Sequence, residues 1–284
     1  MPKDPFGYDP SQPLFVQVAA TAAHGPDEVM SLTYASADGA RVPALFAVPK
    51  QTEVGCLMYQ PGLVPKEAAA PIWPVAARLG LAVFTIDPRD TGARANGLRP
   101  LRNAFSSPEG LVSFLRSDVI DLRRGLDYLE RQVACHHNVG YMGIRQGSNF
   151  GVLLAGADSR IRATILLSAG ATWRATLFYA PAARRAVAQD PGAAAAAAAA
   201  LAPLDPERWV RRIAPRPVMI VDGLADPLVP PVSALDLAAA AREPKVLVFY
   251  AGGEAPFAGS SDQRVVADVV AFLKRYLGQR PNGQ

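Results

Sequence analysis

The sequence predicts an α/β domain built on a mostly parallel sheet with helices on both faces. Two observations carry this expectation. From about residue 54 onward, short continuous apolar runs alternate with segments of helical periodicity, the pattern of buried strands joined by crossover helices. Several of those runs end in loops rich in Gly, Pro and Asp, and ligands of such sheets bind at the carboxyl ends of the strands. With 284 residues, 50% hydrophobic and 19% charged, the chain can build a large core, and global disorder is excluded.

The first 29 residues lack clear periodicity and read as an arm packed or draped on the body. Met30–Tyr34 and Val42–Val48 flank Asp38-Gly39, a strong hairpin signal. Val54–Tyr59 is a buried strand that ends in Gln60-Pro61-Gly62, and a helix runs through Ala76–Leu79. Leu81–Ile86 is a second buried strand, ending in Asp87-Pro88-Arg89-Asp90. Leu115, Val119, Leu122, Leu126 and Leu129 recur at helical spacing and predict one long amphipathic helix. Val139–Ile144 and Ile161–Leu167 are strands around a helix at Ser148–Ala157. Pro217–Val221 and Lys245–Tyr250 flank the Ala-rich helix Ser233–Ala241, and a last helix carries Val266, Val269, Leu273 and Tyr276.

The stretch 171–212 breaks the rhythm with eight consecutive alanines, Ala193–Ala200, between Gly192 and Pro203. It reads as a helical insertion forming a small cap over the carboxyl ends of the strands. The expected organisation is an arm at 1–29, a core domain at 30–170 and 213–284, and the cap at 171–212.

Composition removes several function classes. A net charge of +4, from 29 Lys and Arg against 25 Asp and Glu, is too small for a nucleic-acid surface. No apolar run approaches the ~18 residues of a membrane span, and MPKDPFGYDPSQ has no apolar signal-peptide core. Cys56 and Cys135 form no metal or redox motif and are too few for a disulfide framework; Cys56, inside a strand, reads as core. No metal-ligand spacing or nucleotide fingerprint occurs. The expectation is a soluble, cytoplasmic protein without a cofactor, whose partner is a small molecule rather than a nucleic acid or a membrane. The oligomeric state stays open.

Four segments together carry a family resemblance. They are GYMGIRQGSNFGVLLAG (Gly140–Gly156) with the following DSRIRATILLSAG, IDPRDTGARANG, DGLADPLVPP and YAGGEAPF. From about Met30 to Leu277 the chain resembles the α/β-hydrolases of the dienelactone hydrolase and acetyl-esterase-like branch. The resemblance implies an α/β-hydrolase fold, a nucleophile elbow at 143–147, the acid of a catalytic triad at Asp226 and a histidine within YAGGEAPF. Both elbow glycines, Gly143 and Gly147, are present, but Arg145 stands at the nucleophile position and Glu254 at the histidine position. A guanidinium is not deprotonated in a protein and cannot attack a carbonyl. His136 and His137 precede their strand, at its amino end and the wrong edge, and His24 lies in the arm. Ser148, just past the elbow, reads as a small polar residue of the first helical turn.

The candidate catalytic residues are therefore Arg145, Asp226 and Glu254, with Gln60, Tyr59, Arg89, Asp90, Gln146 and Trp173 as candidate substrate contacts. Arg145 at a helix N-terminus would hold a carboxylate, enolate or phosphate oxygen, with Glu254 or Asp226 as base if burial raises its pKa. Gln60 would donate a hydrogen bond to a ligand oxygen, and Trp173, Phe178 and Tyr179 would wall the pocket. The blander readings are a salt bridge of Arg145 with the two carboxylates, a loop ion pair at Arg89 and Asp90, and aromatics that only pack the insertion onto the body. The preferred function is serine-independent chemistry of the lyase, isomerase or cyclase type, or binding, on an anionic or carbonyl small molecule. One alternative is ester or lactone hydrolysis by water activated by Glu254 or Asp226, with Arg145 holding the oxyanion. The other is a binding protein that has lost the chemistry.

Overall fold

Nine strands form one sheet in the order β1-β2-β3-β5-β4-β6-β7-β8-β9. They are β1 (Gln17–His24), β2 (Asp27–Ala35), β3 (Arg41–Pro49), β4 (Gly55–Gln60), β5 (Leu81–Ile86), β6 (Val139–Ile144), β7 (Ile161–Leu167), β8 (Val218–Gly223) and β9 (Lys245–Tyr250). The β1/β2, β2/β3 and β3/β5 pairs are antiparallel, and every pair from β5/β4 to β8/β9 is parallel. The computed structural model describes residues 4–50, 55–95, 107–175, 188–253 and 263–278.

Apart from the partly exposed edge strand β9, the strands of the parallel region are buried along nearly all of their lengths, and their side chains sort by parity into two cores. Met58, Phe84, Tyr141, Leu166 and Ile220 face one helical layer; Leu57, Val83, Met142, Ile165 and Val221 face the other. The first layer contains α2 (Pro108–Leu129), α3 (Gln146–Ala157), α4 (Pro191–Leu201), α5 (Pro206–Val210) and α6 (Pro231–Ala240). The second contains α1 (Trp73–Ala77) and α7 (Gln263–Leu277), with Ile72 at the end of a 3-10 turn over Lys66–Ile72. Ser107 caps α2 by accepting from the Gly110 amide at 3.0 Å, with Pro108 at the first position.

Two features depart from the sequence expectation. The arm is partly sheet: β1 and the start of β2 lie within residues 1–29 and extend the sheet by one antiparallel edge strand. Before β1 the chain is pinned to the helical layer, with Phe6 edge-on to Trp209 at 5.0 Å and the Tyr8 hydroxyl donating to Asp127 at 2.8 Å. The two cysteines are joined as a buried disulfide, Cys56–Cys135, which ties the start of β4 to the turn before β6. Two cysteines make no framework, but one staple needs only two, and core packing is what brings these together.

The described part of the insertion packs on the helical layer, α4 against α2 and α5 against α3 and α6. Asp190 caps α4 by accepting from the Ala193 amide at 2.9 Å. Phe178, Tyr179 and Glu254 lie outside the described residues.

Candidate functional site

The turn from β6 into α3 carries the most constrained backbone of the sheet's carboxyl edge. Arg145 has φ 53° and ψ −117°, a conformation that a side chain with a Cβ rarely adopts. The glycines on either side explain how the turn closes. A Cβ on Gly143 would be driven into the Gly147 backbone, and one on Gly147 into the Gln60 carbonyl. Neighbouring groups lock the turn: the Arg145 amide donates to the Leu167 carbonyl at 2.8 Å, and the Tyr141 hydroxyl donates to the Gly147 carbonyl at 2.6 Å. Ser148 is fully buried, its hydroxyl lying 2.7 Å from both the Gly143 and Leu167 carbonyls. Its work is structural.

Register then assembles the neighbours. Gln60 pairs with Gly143, Ile144 with Leu167, and Leu167 with Val221, so Arg145, Ser168 and Asp222 follow one another across three adjacent parallel strands. Adjacent strands are ~4.8 Å apart, which places these residues side by side at the carboxyl edge. Asp226 lies in the loop after β8, where its Oδ1 accepts from the Leu228 and Val229 amides at 2.8 and 3.0 Å. Tyr250 closes β9 opposite Gly223, and its hydroxyl faces Ser168.

Five buried polar atoms in this row have no hydrogen-bond partner among the described residues: Gln60 Oε1, Arg145 Nε, Ser168 Oγ, Asp222 Oδ2 and Asp226 Oδ2. Among the described residues no carboxylate forms an ion pair with Arg145. The salt bridge between Arg145 and Asp226 weighed from the sequence is thus not formed, and unsatisfied polar atoms converge there instead, which buried groups rarely tolerate without a ligand or water. Burial, and then the neighbouring Asp226, push the Asp222 carboxyl up to about 7, against a smaller opposing pull from the Gly223 amide. Burial first, then Asp226 and Asp222, push the Tyr250 phenol up to about 12.

The other expected contacts divide. Gln60 is at the edge of this row, but its Nε2 already donates to the Gly62 carbonyl at 3.0 Å, so the end it offers is an acceptor and not the expected donor. Gln146 opens α3 directly after Arg145, where the first amides of a helix have no intrahelical acceptor. Tyr59 points into the core shared with Met142, Ile144 and Tyr250, and burial raises its phenol.

Arg89 is committed to the scaffold. Its guanidinium donates to Asp38 at 2.8 Å and to Asp121 at 3.1 Å, and its amide to Asp118 at 2.8 Å. Asp90, at φ 62°, makes no ion pair among the described residues, and burial raises its carboxyl. Trp173 is buried and ties the insertion together, its indole donating to the Leu204 carbonyl at 2.8 Å and its amide to Asp205 at 2.8 Å.

The histidines stay away. His24 is on β1, five strand spacings or ~24 Å from β6 along the sheet, and packs edge-on against Trp73 at 5.1 Å. His136 and His137 precede β6 at its amino end. Asp222 escaped the sequence reading because it falls just past the strand expected at Pro217–Val221, and Tyr250 because it closes the strand expected at Lys245–Tyr250. The available signal was an Asp closing the apolar run Val218-Met219-Ile220-Val221.

A 420 Å³ depression opens between the loop after Ser168 and the start of α6, lined by Ala171, Thr172, Arg174, Ala175, Val232, Ser233 and Asp236 and by no residue of the row. Among the described residues no group of three or more His, Cys, Asp or Glu is placed to hold a metal ion, and no helix is long and apolar enough to cross a membrane.

No family model matches the sequence, and no curated protein does. Solved structures do match. The acetyl xylan esterase from Paenibacillus sp. R4 superposes with a TM-score of 0.77 at 16% identity, over 94% of this chain and 90% of that one. Acetyl xylan esterase 1 from Thermoanaerobacterium sp. JW/SL YS485 gives 0.74 at 18% identity, over 93% and 89%. The α/β hydrolase GrgF from Penicillium sp. sh18 gives 0.65 at 18% identity, over 88% and 99%. The chain has the α/β-hydrolase fold.

Proposed function

We propose that this protein binds a small molecule through a carboxylate or carbonyl oxygen at Arg145 and acts on it, if it acts, without a serine nucleophile. The observation that carries the reading is the guanidinium itself. It sits on a fully formed elbow, and among the described residues its Nε is buried and unpartnered while Asp222 and Asp226 each leave one carboxyl oxygen unpaired. An Arg that merely filled an abandoned site would be expected to pair with them, since an unpaired buried charge is costly. A planar guanidinium and the first amides of α3 form a fitting anion receptor. Serine-independent proton transfer of the lyase, isomerase or cyclase type is the chemistry these groups suit, with Asp226 as one candidate base beside Glu254.

A second reading, hydrolysis of an ester or lactone by an activated water, is favoured by the fold neighbours alone. There Arg145 would hold the oxyanion and Asp226 or Glu254 would activate the water.

Two measurements test the proposal together. Acetate binding is followed by chemical-shift perturbation, and initial rates are taken on activated short-chain esters and lactones, for the wild type and Arg145→Ala, with a fluorophosphonate as serine probe. The expected result is acetate binding that weakens about tenfold to a hundredfold in Arg145→Ala, the scale of one charge-assisted hydrogen bond, and no fluorophosphonate labelling. Ester turnover blocked by the probe would overturn the reading. Turnover untouched by the probe and abolished by Arg145→Ala would select the hydrolytic alternative.

A further inference from the structure

We infer that Asp222 is the neutral hydrogen-bond donor of this site, a carboxylic acid that shares with Arg145 the oxygen of the bound carboxylate. The inference rests on the proposed reading of Arg145 as the anion receptor and adds a second ligand-binding residue and a pH dependence to it. Three geometric facts support it. Asp222 is fully buried at the carboxyl end of β8, in the row that Arg145 and Ser168 continue. Its Oδ1 is fixed by the Gly223 amide at 2.9 Å, while its Oδ2 has no partner. Strand parity gives Gln60 and Asp222 the same face of the sheet, the one that α3 covers, as their preceding residues Tyr59 and Val221 both belong to the opposite core.

Among the described residues, Asp226 approaches from the loop after β8 and Tyr250 from the end of β9, while Ser168 and Arg145 follow the ends of the next two strands in the row. Asp226 is a like charge and Tyr250 a neutral phenol at physiological pH, so neither stabilises an ionised Asp222. Its carboxyl is raised to about 7, which leaves much of it protonated near neutrality. An ionised Asp222 would repel a carboxylate ligand, whereas a protonated one donates to it. One titration therefore decides whether the receptor accepts an anion.

The test uses the whole chain with acetate as the probe. The acetate dissociation constant is measured from pH 5.5 to 8.5 for wild type, Asp222→Asn and Arg145→Ala. The carboxyl carbon of Asp222 is titrated in parallel by NMR, identified by its absence in Asp222→Asn. The expected result is a wild-type affinity that falls about tenfold per pH unit above the Asp222 midpoint. In Asp222→Asn, whose amide still donates and never ionises, the affinity stays within about threefold of the low-pH wild-type value and is flat with pH. Acetate binding with the same pH profile in both proteins, still lost in Arg145→Ala, would overturn the role of Asp222 and leave the Arg145 reading standing. An Asp222 carboxyl that titrates below 5 would overturn it as well. Binding that Arg145→Ala leaves unchanged, or no acetate binding at any pH, would overturn both.

Discussion

A methyl group on Gly147 would collide with the carbonyl of Gln60, a backbone atom of a buried strand that has no room to retreat. Gly147→Ala is therefore expected to cost about 3 kcal/mol or more, the scale of an overpacked core site, and to displace Arg145 with the elbow. Urea unfolding would show the loss of stability, and acetate binding would fall with it. A variant of wild-type stability would mean that the elbow relaxes freely and that its strain is not held by this contact. Residue by residue, the site was half legible. Gly143, Arg145 and Gly147 announce themselves because a strained strand-to-helix turn needs small neighbours, and that requirement is written in local sequence. Asp222 carries no such local mark. Its unusual carboxyl arises from burial and from Asp226, and its place in the row arises from strand register, both properties of the assembled sheet. Gln60 was found by its position after β4, but which end of its amide is free depends on the Gly62 carbonyl, which sequence does not orient.

The elements were most legible where burial on both faces leaves an uninterrupted apolar run. Leu81–Ile86, Val139–Ile144 and Ile161–Leu167 are such strands with the bounds expected for them, and the partly exposed edge strand Lys245–Tyr250 has its expected bounds as well. β1 was missed for the opposite reason: QVAATAAH is exposed along its whole length, so no alternation was selected. What holds the arm is the pairing of β1 with β2 and, before it, a joint on α2. Arg124 is fully buried and donates to Asp127 at 3.0 Å, to the Gln12 and Pro13 carbonyls at 2.9 and 3.1 Å, and to the Ala35 carbonyl at 3.3 Å. One guanidinium thus fastens arm, sheet and helix, while Arg160 and Tyr8 share the same Asp127. Arg124→Ala leaves three carbonyls without this donor and removes one of the three partners of Asp127, and is expected to cost about 2–3 kcal/mol. A urea midpoint would measure it, with amide exchange of residues 5–14 rising first. A loss below about 1 kcal/mol would mean that Arg160 alone satisfies Asp127 and that the arm is held by its apolar contacts.

Across the whole molecule, stability devices and candidate chemistry sit at opposite edges of the sheet. At the amino edge, Cys56 and Cys135 are bonded, the Cys56 amide donates to the Asn138 carbonyl at 2.8 Å, and the Asn138 side chain donates to the Leu277 carbonyl at 3.0 Å, so β4, the approach to β6 and the end of α7 are stapled together. At the carboxyl edge stand Arg145, Asp222 and Asp226, a six-residue strand or ~20 Å away. The disulfide spans 79 residues of sequence, and closing a loop of that size in the unfolded chain is worth roughly 4 kcal/mol in the chain-entropy account. Both sulfur atoms belong to fully buried residues, so a thiolate reaches the bond only when the protein opens. The native protein is expected to resist dithiothreitol, while the double variant Cys56→Ala and Cys135→Ala should melt roughly 10 °C lower, at a few degrees per kcal/mol for a domain of this size. Because the staple holds the edge that carries no site, that variant should bind acetate below its melting point with wild-type affinity and the same pH profile. A lost affinity in a folded variant would show that the two edges are coupled through β6, and that the elbow depends on how the strand is anchored at its far end.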